Sequence, residues 1–193
     1  MVTLLEAVAS IEAGTEIHAV TDGDVSAHEL IRAIAAAVGR GCDLVVATSA
    51  ANEGPAAELV ALAEFGAVSS LRVIACYAVL HMNGPRGKAV DRVLAGRLGM
   101  ARTHAKFAVA TLGDRKVSLL TTANLNVNHR SEAHVITTDP AVAGHLLGVV
   151  AEFERLGSKP GKGGAYYTRT FAAALPGVER GGTLRDAVER WSV

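Results

Sequence analysis

The chain has 193 residues, half of them hydrophobic, which is enough for one domain with a substantial core. Its 19 basic and 19 acidic residues balance, so no global positive field recruits nucleic acid, and aromatic residues at 4% are too few for a stacking platform. No apolar run reaches the roughly 18 residues of a membrane span, and no signal peptide opens the chain. We therefore expect a protein of the cytoplasm with no membrane partner. Cys42 and Cys76 lack metal-ligand spacing and are expected to be reduced and buried.

Helices and strands are predicted to alternate over the first hundred residues. Helical spacing of apolar residues predicts helices at 2–11, 26–39, 55–67 and 87–99. Short apolar runs predict strands at 16–21, 42–50 and 70–79. Ser26, followed three residues later by Glu29, forms a capping box at the start of the second helix. This alternation predicts parallel strands joined by right-handed crossovers.

The pattern changes after residue 100. RTHAKFAVA (102–110) and RKVSLLTT (115–122) are too close for a crossover, so they form an antiparallel hairpin, with Gly113 suited to a type II′ turn. A further strand is predicted at 133–138 and a long helix at 140–157. Residues 1–157 are therefore expected to form one α/β domain, a mixed sheet flanked by helices on both faces.

Residues 158–193 form a C-terminal extension of different composition. It is rich in glycine and basic residues and ends in a candidate short helix at 183–191. We expect it to lie on the domain or on a partner subunit. An alternative is contact with nucleic acid through its basic and aromatic side chains, which are Lys159, Lys162, Tyr166, Tyr167 and Arg169.

The hairpin carries polar side chains where core residues are expected. On a strand, residues two apart share a face, so His104 and Lys106 point the same way. On that face they are followed only by the small Ala108 and Ala110, which should leave space beside them. Phe107 points to the other face, toward the core.

The returning strand adds two more polar residues, Thr122 and Asn124, which also share a face. Folding at Gly113 brings them opposite His104, so the four side chains converge. Lysine and asparagine can hold the non-bridging oxygens of a phosphodiester, and an imidazole can attack phosphorus or move a proton. The alternative is a solvated sheet face with a chance histidine.

The hairpin and the strand after it resemble the phospholipase D superfamily. The resemblance is carried by HAKFAVA (104–110), LLTTANLN (119–126) and RSEAHV (130–135). The family signature is His-x-Lys, an aspartate five residues past the lysine, a Gly-Ser-x-Asn turn and a downstream glutamate. Over residues 1–100 the resemblance is only architectural.

The resemblance implies a role for each matched residue. His104 takes the position of the nucleophile, and Lys106 and Asn124 take the positions that hold phosphate. Thr122 stands where the family has serine and is expected to bind substrate, and Glu132 fits the glutamate that orients a histidine. The family mechanism needs no metal or cofactor, so none is predicted here.

Two positions depart from the signature. Thr111 stands in place of the family aspartate, which weakens the prediction of catalysis. Thr121 stands in place of the glycine, and its larger side chain is expected to narrow the pocket.

The chain holds one His-x-Lys motif, whereas the family mechanism uses two histidines. Short members of the family, including small bacterial endonucleases, complete the site by homodimerising. The resemblance therefore implies a homodimer with two copies of His104 facing each other across a two-fold axis. The other histidines are expected to be surface or helix residues, namely His18, His28, His81, His129, His134 and His145.

The predicted function is a metal-independent phosphodiesterase, a nuclease-like hydrolase acting through a phosphohistidine. The alternative is a catalytically decayed phospholipase D-like fold that binds nucleic acid or serves assembly in a phage or defence context, which the neutral net charge favours mildly. Arg86 and Lys88, at the start of a predicted helix, are candidates for steering a phosphate backbone, with a solvated loop as the plainer interpretation. The segment at 48–53 ends a parallel strand and is assigned no role.

Overall fold

The computed structural model describes residues 2–76, 85–101, 103–127 and 130–156. The strands are β1 Glu16–Asp22, β2 Cys42–Thr48, β3 Val68–Cys76, β4 Leu98–Ala101, β5 Phe107–Leu112, β6 Arg115–Thr121 and β7 Ser131–Thr137. The helices in these ranges are α1 Leu4–Ala9, α2 Ala27–Val38, α3 Glu53–Glu64, α4 Pro85–Val93 and α5 Pro140–Leu156.

The strands form one seven-stranded mixed sheet, in the order β1-β7-β6-β5-β2-β3-β4. β2, β3 and β4 are parallel neighbours, and every other pair is antiparallel. The mixed sheet predicted from the sequence is confirmed. These directions place the ends of β1, β2 and β6 and the starts of β5 and β7 at the same edge of the sheet, which we call the upper edge.

Helices cover both faces of the sheet. Residues of α1 to α4 form one core cluster with Ala108 and Ala110 of β5. Helix α5 contacts β4, β5 and β6 from the other side, where Phe107 and Val109 are buried because side chains alternate along a strand. Burial on both faces explains why β5 consists almost entirely of apolar residues.

Two local signals in the sequence are confirmed. The carboxylate of Glu29 accepts hydrogen bonds from the Ser26 N–H, at 2.8 Å, and from the Ser26 hydroxyl, at 2.6 Å, which closes the capping box of α2. Gly113 has φ of 58°, and Leu112 pairs with Arg115 across it. No non-glycine residue in the described ranges has positive φ, so the backbone fits a type II′ turn.

The predicted helix at 87–99 is wrong over its second half. Helix α4 ends at Val93, the chain turns at Gly96 with φ of 74°, and β4 follows as an edge strand parallel to β3. At Gly99 a Cβ atom would lie 2.6 Å from Cδ1 of Ile74, so glycine permits the close approach of this strand. Gly99, the last residue of the predicted helix, is therefore a packing residue of β4.

Other expectations are met in part. Both cysteines are free, but only Cys42 is buried and Cys76 is partly exposed. No helix in the described ranges is long and apolar enough to span a bilayer. The C-terminal extension at 158–193 lies outside the described residues, so its predicted placement is not tested.

Candidate active site

His104 and Lys106 lie at the upper edge, just before β5 rather than on it as predicted. The chain becomes a strand only at Phe107. His104 is exposed and Lys106 is partly buried. The Lys106 ammonium lies 3.2 Å from Nδ1 of His104 and donates a hydrogen bond of 3.1 Å to the His104 carbonyl oxygen. The two side chains are therefore in contact, as their spacing predicts.

The chemistry of this contact sets the state of the imidazole. A protonated lysine has no lone pair, so Nδ1 of His104 is the acceptor and the proton of a neutral ring lies on Nε2. Burial lowers the pKa of Lys106, and the negative charge of Glu132 opposes that change. Glu132 is therefore close enough to act electrostatically on the lysine.

Thr122 and Glu132 form the second part of the site. The Thr122 hydroxyl donates a short hydrogen bond to Oε2 of Glu132. The same hydroxyl oxygen accepts from the Ala133 N–H at 3.0 Å, and the Thr122 N–H donates to the Ala133 carbonyl at 3.0 Å. Thr122 is thus fixed against the start of β7 by three hydrogen bonds.

Asn124 is held from the other side of β5. The Ser49 hydroxyl donates to Oδ1 of Asn124 at 2.6 Å. The next residue, Leu125, donates its N–H to the Thr48 hydroxyl and to the Ala50 carbonyl, both at 3.1 Å. Since β5 lies between β2 and β6, these bonds cross the start of β5 and hold Asn124 at the upper edge.

The contact of Ser49 with Asn124 was not foreseen, because the segment at 48–53 was assigned no role. The signal available in the sequence is its position at the carboxyl end of a parallel strand, where α/β sheets place ligands. Ser49 supplies the donor that fixes the carbonyl end of the Asn124 amide, so the NH₂ group of Asn124 is left to donate.

His134 is neither a surface nor a helix residue, so that expectation is wrong. It lies on β7, is 2% exposed, and hydrogen bonds through both ring nitrogens. Nε2 is 3.0 Å from the Thr21 hydroxyl, and Nδ1 is 2.9 Å from the Thr121 hydroxyl. Burial lowers the pKa of His134, with the charge of Glu132 opposing, and so favours the neutral ring.

The two departures from the family signature have separate structural outcomes. Thr111 lies near the far end of β5, opposite Asp43 and Lys116, about 16 Å along the strand from Lys106. Thr121 turns its hydroxyl to His134 and accepts the Ala123 N–H at 2.9 Å. The Thr121 N–H also donates to the Lys106 carbonyl at 3.1 Å, so Thr121 lies beside the lysine on the neighbouring strand.

The expected space beside Ala108 and Ala110 is absent. Both residues are fully buried under the helices that cover this face. The open part of the site is therefore the upper edge itself, where His104 and Thr122 are exposed. Within the described ranges, no group of three histidine, cysteine, aspartate or glutamate residues is arranged to hold a metal ion.

Comparisons with known proteins bear on the fold. No protein-family model and no curated protein matches the chain. Among solved structures, Nuc, a phospholipase D family member from Salmonella typhimurium, matches with a TM-score of 0.52 and 15% identity, over 74% of this chain and 97% of Nuc. The chain has a phospholipase D-like fold. The fold expected from the resemblance is confirmed.

A second solved structure that matches is that of a much larger enzyme. Polyphosphate kinase from Porphyromonas gingivalis matches with a TM-score of 0.57 and 14% identity, over 83% of this chain. The chain spans only 28% of the length of that kinase. At these identities both matches describe the fold and leave the chemistry to be argued from the site.

Proposed function

We propose that this phospholipase D-like chain is a metal-independent phosphodiesterase that acts on nucleic acid as a homodimer, through a phosphohistidine at His104. The observation that carries the proposal is the placement of an exposed imidazole against the ammonium of Lys106 at the upper edge, 3.2 Å apart. Thr122, Asn124 and Glu132 reach the same edge from β6 and β7. Nucleophile, cation and preorganised donors are what a phosphoryl-transfer site needs.

In the first step, the lone pair of His104 Nε2 forms a bond to phosphorus. The bond from phosphorus to one ester oxygen breaks, and that oxygen takes a proton from His104 of the second protomer. Lys106 and the Asn124 amide donate to the non-bridging oxygens, whose charge grows in the transition state. The products at this stage are an alcohol and a phosphohistidine.

In the second step, water attacks the phosphohistidine. The water gives a proton to the imidazole of the second protomer, and the bond from phosphorus to Nε2 breaks. The enzyme returns to its starting protonation state, and a phosphate monoester leaves. No electrons are exchanged with an outside group.

Because Lys106 contacts His104 before substrate binds, substrate binding is expected to help activate His104 as the nucleophile. Attack through Nε2 requires the ring proton on Nδ1, which the lysine occupies as donor at rest. A phosphodiester that draws the ammonium to its own oxygens frees Nδ1. By exchange with solvent, Nδ1 then gains a proton and Nε2 loses one, which leaves the Nε2 lone pair for attack. Substrate binding and preparation of the nucleophile are then one event.

Two features support nucleic acid as the substrate class. The site is an open edge with an exposed histidine rather than a closed cavity, which suits a long chain. On α4, the exposed Arg86, Lys88 and Arg92 outnumber the single exposed Asp91 and offer charges for a phosphate backbone. The protein as a whole carries no net charge, so this local cluster supplies the attraction.

The alternative, a decayed fold that only binds nucleic acid, is less well supported. The position of the missing aspartate is about 16 Å along β5 from Lys106, next to Asp43 and Lys116. The glycine position is filled by Thr121, whose hydroxyl is occupied by His134 and the Ala123 N–H. Neither departure therefore removes a side chain that the proposed steps use.

The direct test is hydrolysis in EDTA. We expect single- or double-stranded DNA, RNA or bis-p-nitrophenyl phosphate to be cleaved without metal by the native protein and not by His104→Ala. His18→Ala is the matched control, because His18 is an exposed histidine in the middle of the edge strand β1. Turnover that survives in His104→Ala, or binding of DNA with no turnover of any diester, would contradict the proposal.

A further inference from the structure

We propose that Thr21, His134 and Thr121 form a buried brace that positions Thr122 and Asn124, so that a histidine outside the reacting groups sets the geometry of the site. The expected effect of the brace on reaction rate rests on the proposed function, whereas its effect on the backbone at Ala123 does not. The three residues are positioning residues and touch no substrate.

The brace crosses three neighbouring strands. Thr21 lies on β1, His134 on the middle strand β7, and Thr121 on β6. The imidazole hydrogen bonds in both directions, at 3.0 Å to Thr21 and 2.9 Å to Thr121. Thr21 is 5% exposed and His134 is 2% exposed, so the bond between them is shielded from water, whereas the bond to Thr121 is partly buried.

From Thr121 the brace reaches the site within one residue. The Thr121 hydroxyl also accepts the Ala123 N–H at 2.9 Å, which fixes the backbone turn after β6. Thr122 and Asn124 flank Ala123, and they are the residues that meet Glu132 and Ser49. A shift of the Thr121 side chain is therefore expected to move Thr122 and Asn124 together.

The brace also explains how the chain does without a glycine in this turn. Glycine has no side chain to hold the Ala123 N–H, whereas threonine supplies an acceptor at that position. The acceptor is useful only if its own orientation is fixed, and the His134 ring fixes it. Thr121 and His134 are thus best understood as one paired feature.

A buried polar histidine is otherwise hard to account for here. The neighbouring residues on the same face of the sheet, Leu119 on β6 and Ile136 on β7, are apolar and fully buried. An apolar side chain at 134 would extend that core. The two matched hydroxyls on either side indicate that the polar ring has a specific task.

The test uses near-isosteric changes at the two ends of the brace. Thr21→Val removes the bond to His134 from β1, a strand that contributes none of the site's side chains. Thr121→Val removes the hydroxyl at the other end of the brace. Thr121→Ser keeps a hydroxyl and serves as the conservative variant. Ser118→Ala is the matched control, since Ser118 is a fully buried hydroxyl of β6 with no hydrogen-bond partner among the described residues.

Amide hydrogen exchange measures directly whether the brace fixes the backbone of the site. In Thr21→Val, we expect the Ala123 and Ala133 amides to exchange on the order of fivefold faster, while the β5–β6 amide of Leu119 is unchanged. Turnover of a diester should fall about tenfold in kcat in both valine variants, because small displacements of positioned groups cost rate. Thr121→Ser and Ser118→Ala should retain both properties.

The outcomes separate the two proposals. Unchanged exchange at Ala123 and Ala133 in Thr21→Val overturns the brace, whatever the activity and whatever Thr121→Val shows. An equal loss in Ser118→Ala also overturns it, because any buried hydroxyl would then suffice. If the native protein turns over no diester while the exchange rates rise as expected, the proposed function fails and the brace stands.

Discussion

The ammonium of Lys106 touches both the ring and the backbone of His104, so in the proposed mechanism one side chain acts on both the nucleophile and the phosphate. Its spacing from His104 could be predicted from sequence, because residues two apart in an extended chain share a side. The roles of Thr122 and Glu132 came from the family resemblance, and their hydrogen bond is what the structure adds. Ser49 and His134 were missed, since their partners are 75 and 113 residues away in the chain.

We expect Lys106→Met to lower kcat/KM about 100-fold, because methionine keeps the length of the side chain and removes the charge that holds phosphate. Lys116→Met is the control, since Lys116 lies on β6 at the far end of the hairpin. Steady-state kinetics on bis-p-nitrophenyl phosphate measure the effect. Equal activity of the two variants would rule out a role for the Lys106 ammonium.

The native protein should lose activity at a lower alkaline pH than it would if the pKa of Lys106 were that of an unperturbed lysine. Burial lowers the pKa of Lys106 from 10.5. The ammonium that binds phosphate is present below this lowered pKa and is lost as pH rises through it. The alkaline limb of a kcat/KM profile should therefore lie below pH 10.5, and a limb at or above that value would contradict the assignment.

The burial of His134 predicts a loss of stability in mild acid. Its pKa in the folded protein is lowered from 6.5, so below pH 6.5 the unfolded chain binds a proton that the folded protein resists. This contribution to stability is present above pH 6.5 and is lost as pH falls through 6.5 toward the lowered value. In urea unfolding, the free energy of unfolding of His134→Asn should fall less in mild acid than that of the native protein. The control His18→Asn should lose as much as the native protein.

At the scale of elements, the alternation of helices and strands predicted most of the sheet, and the hairpin was located by its turn. The strand β4 was missed for a physical reason. Only four residues long, it follows α4 after a short turn and continues the apolar spacing of that helix. Its pairing with β3 depends on a glycine at 99 that only the packed sheet explains.

A pair of glycine substitutions tests the assignment of hairpin and helix. Gly113→Ala should destabilise the protein by about 1 kcal/mol, because alanine at φ of 58° is strained even though nothing lies within 4 Å of its Cβ. Gly148→Ala, in the exposed interior of α5 with the same open space, should stabilise by up to about 1 kcal/mol. Denaturant midpoints measure both, and equal shifts of the same sign would contradict the assignment.

At the scale of the whole molecule, each chain has one His-x-Lys motif, whereas the proposed mechanism uses two histidines. The mechanism therefore depends on a second copy of the chain. Mixing native protomers with His104→Ala protomers, with time for subunit exchange, distinguishes a site that needs two copies of His104 from a site that needs one. If each site needs two histidines, activity falls with the square of the native fraction, to about a quarter in an equal mixture. A linear fall, or a monomer by sedimentation at assay concentrations, would contradict the homodimer.

The most direct test of the account is capture of the covalent intermediate. Rapid quenching of the native protein with bis-p-nitrophenyl phosphate in EDTA, followed by intact and peptide mass spectrometry, should show one p-nitrophenyl phosphoryl group on His104. The adduct should be absent from His104→Ala and present in His18→Ala. Turnover of the diester with the label on another residue, or without any covalent adduct while His104→Ala remains active, would contradict the assignment of His104 as the nucleophile.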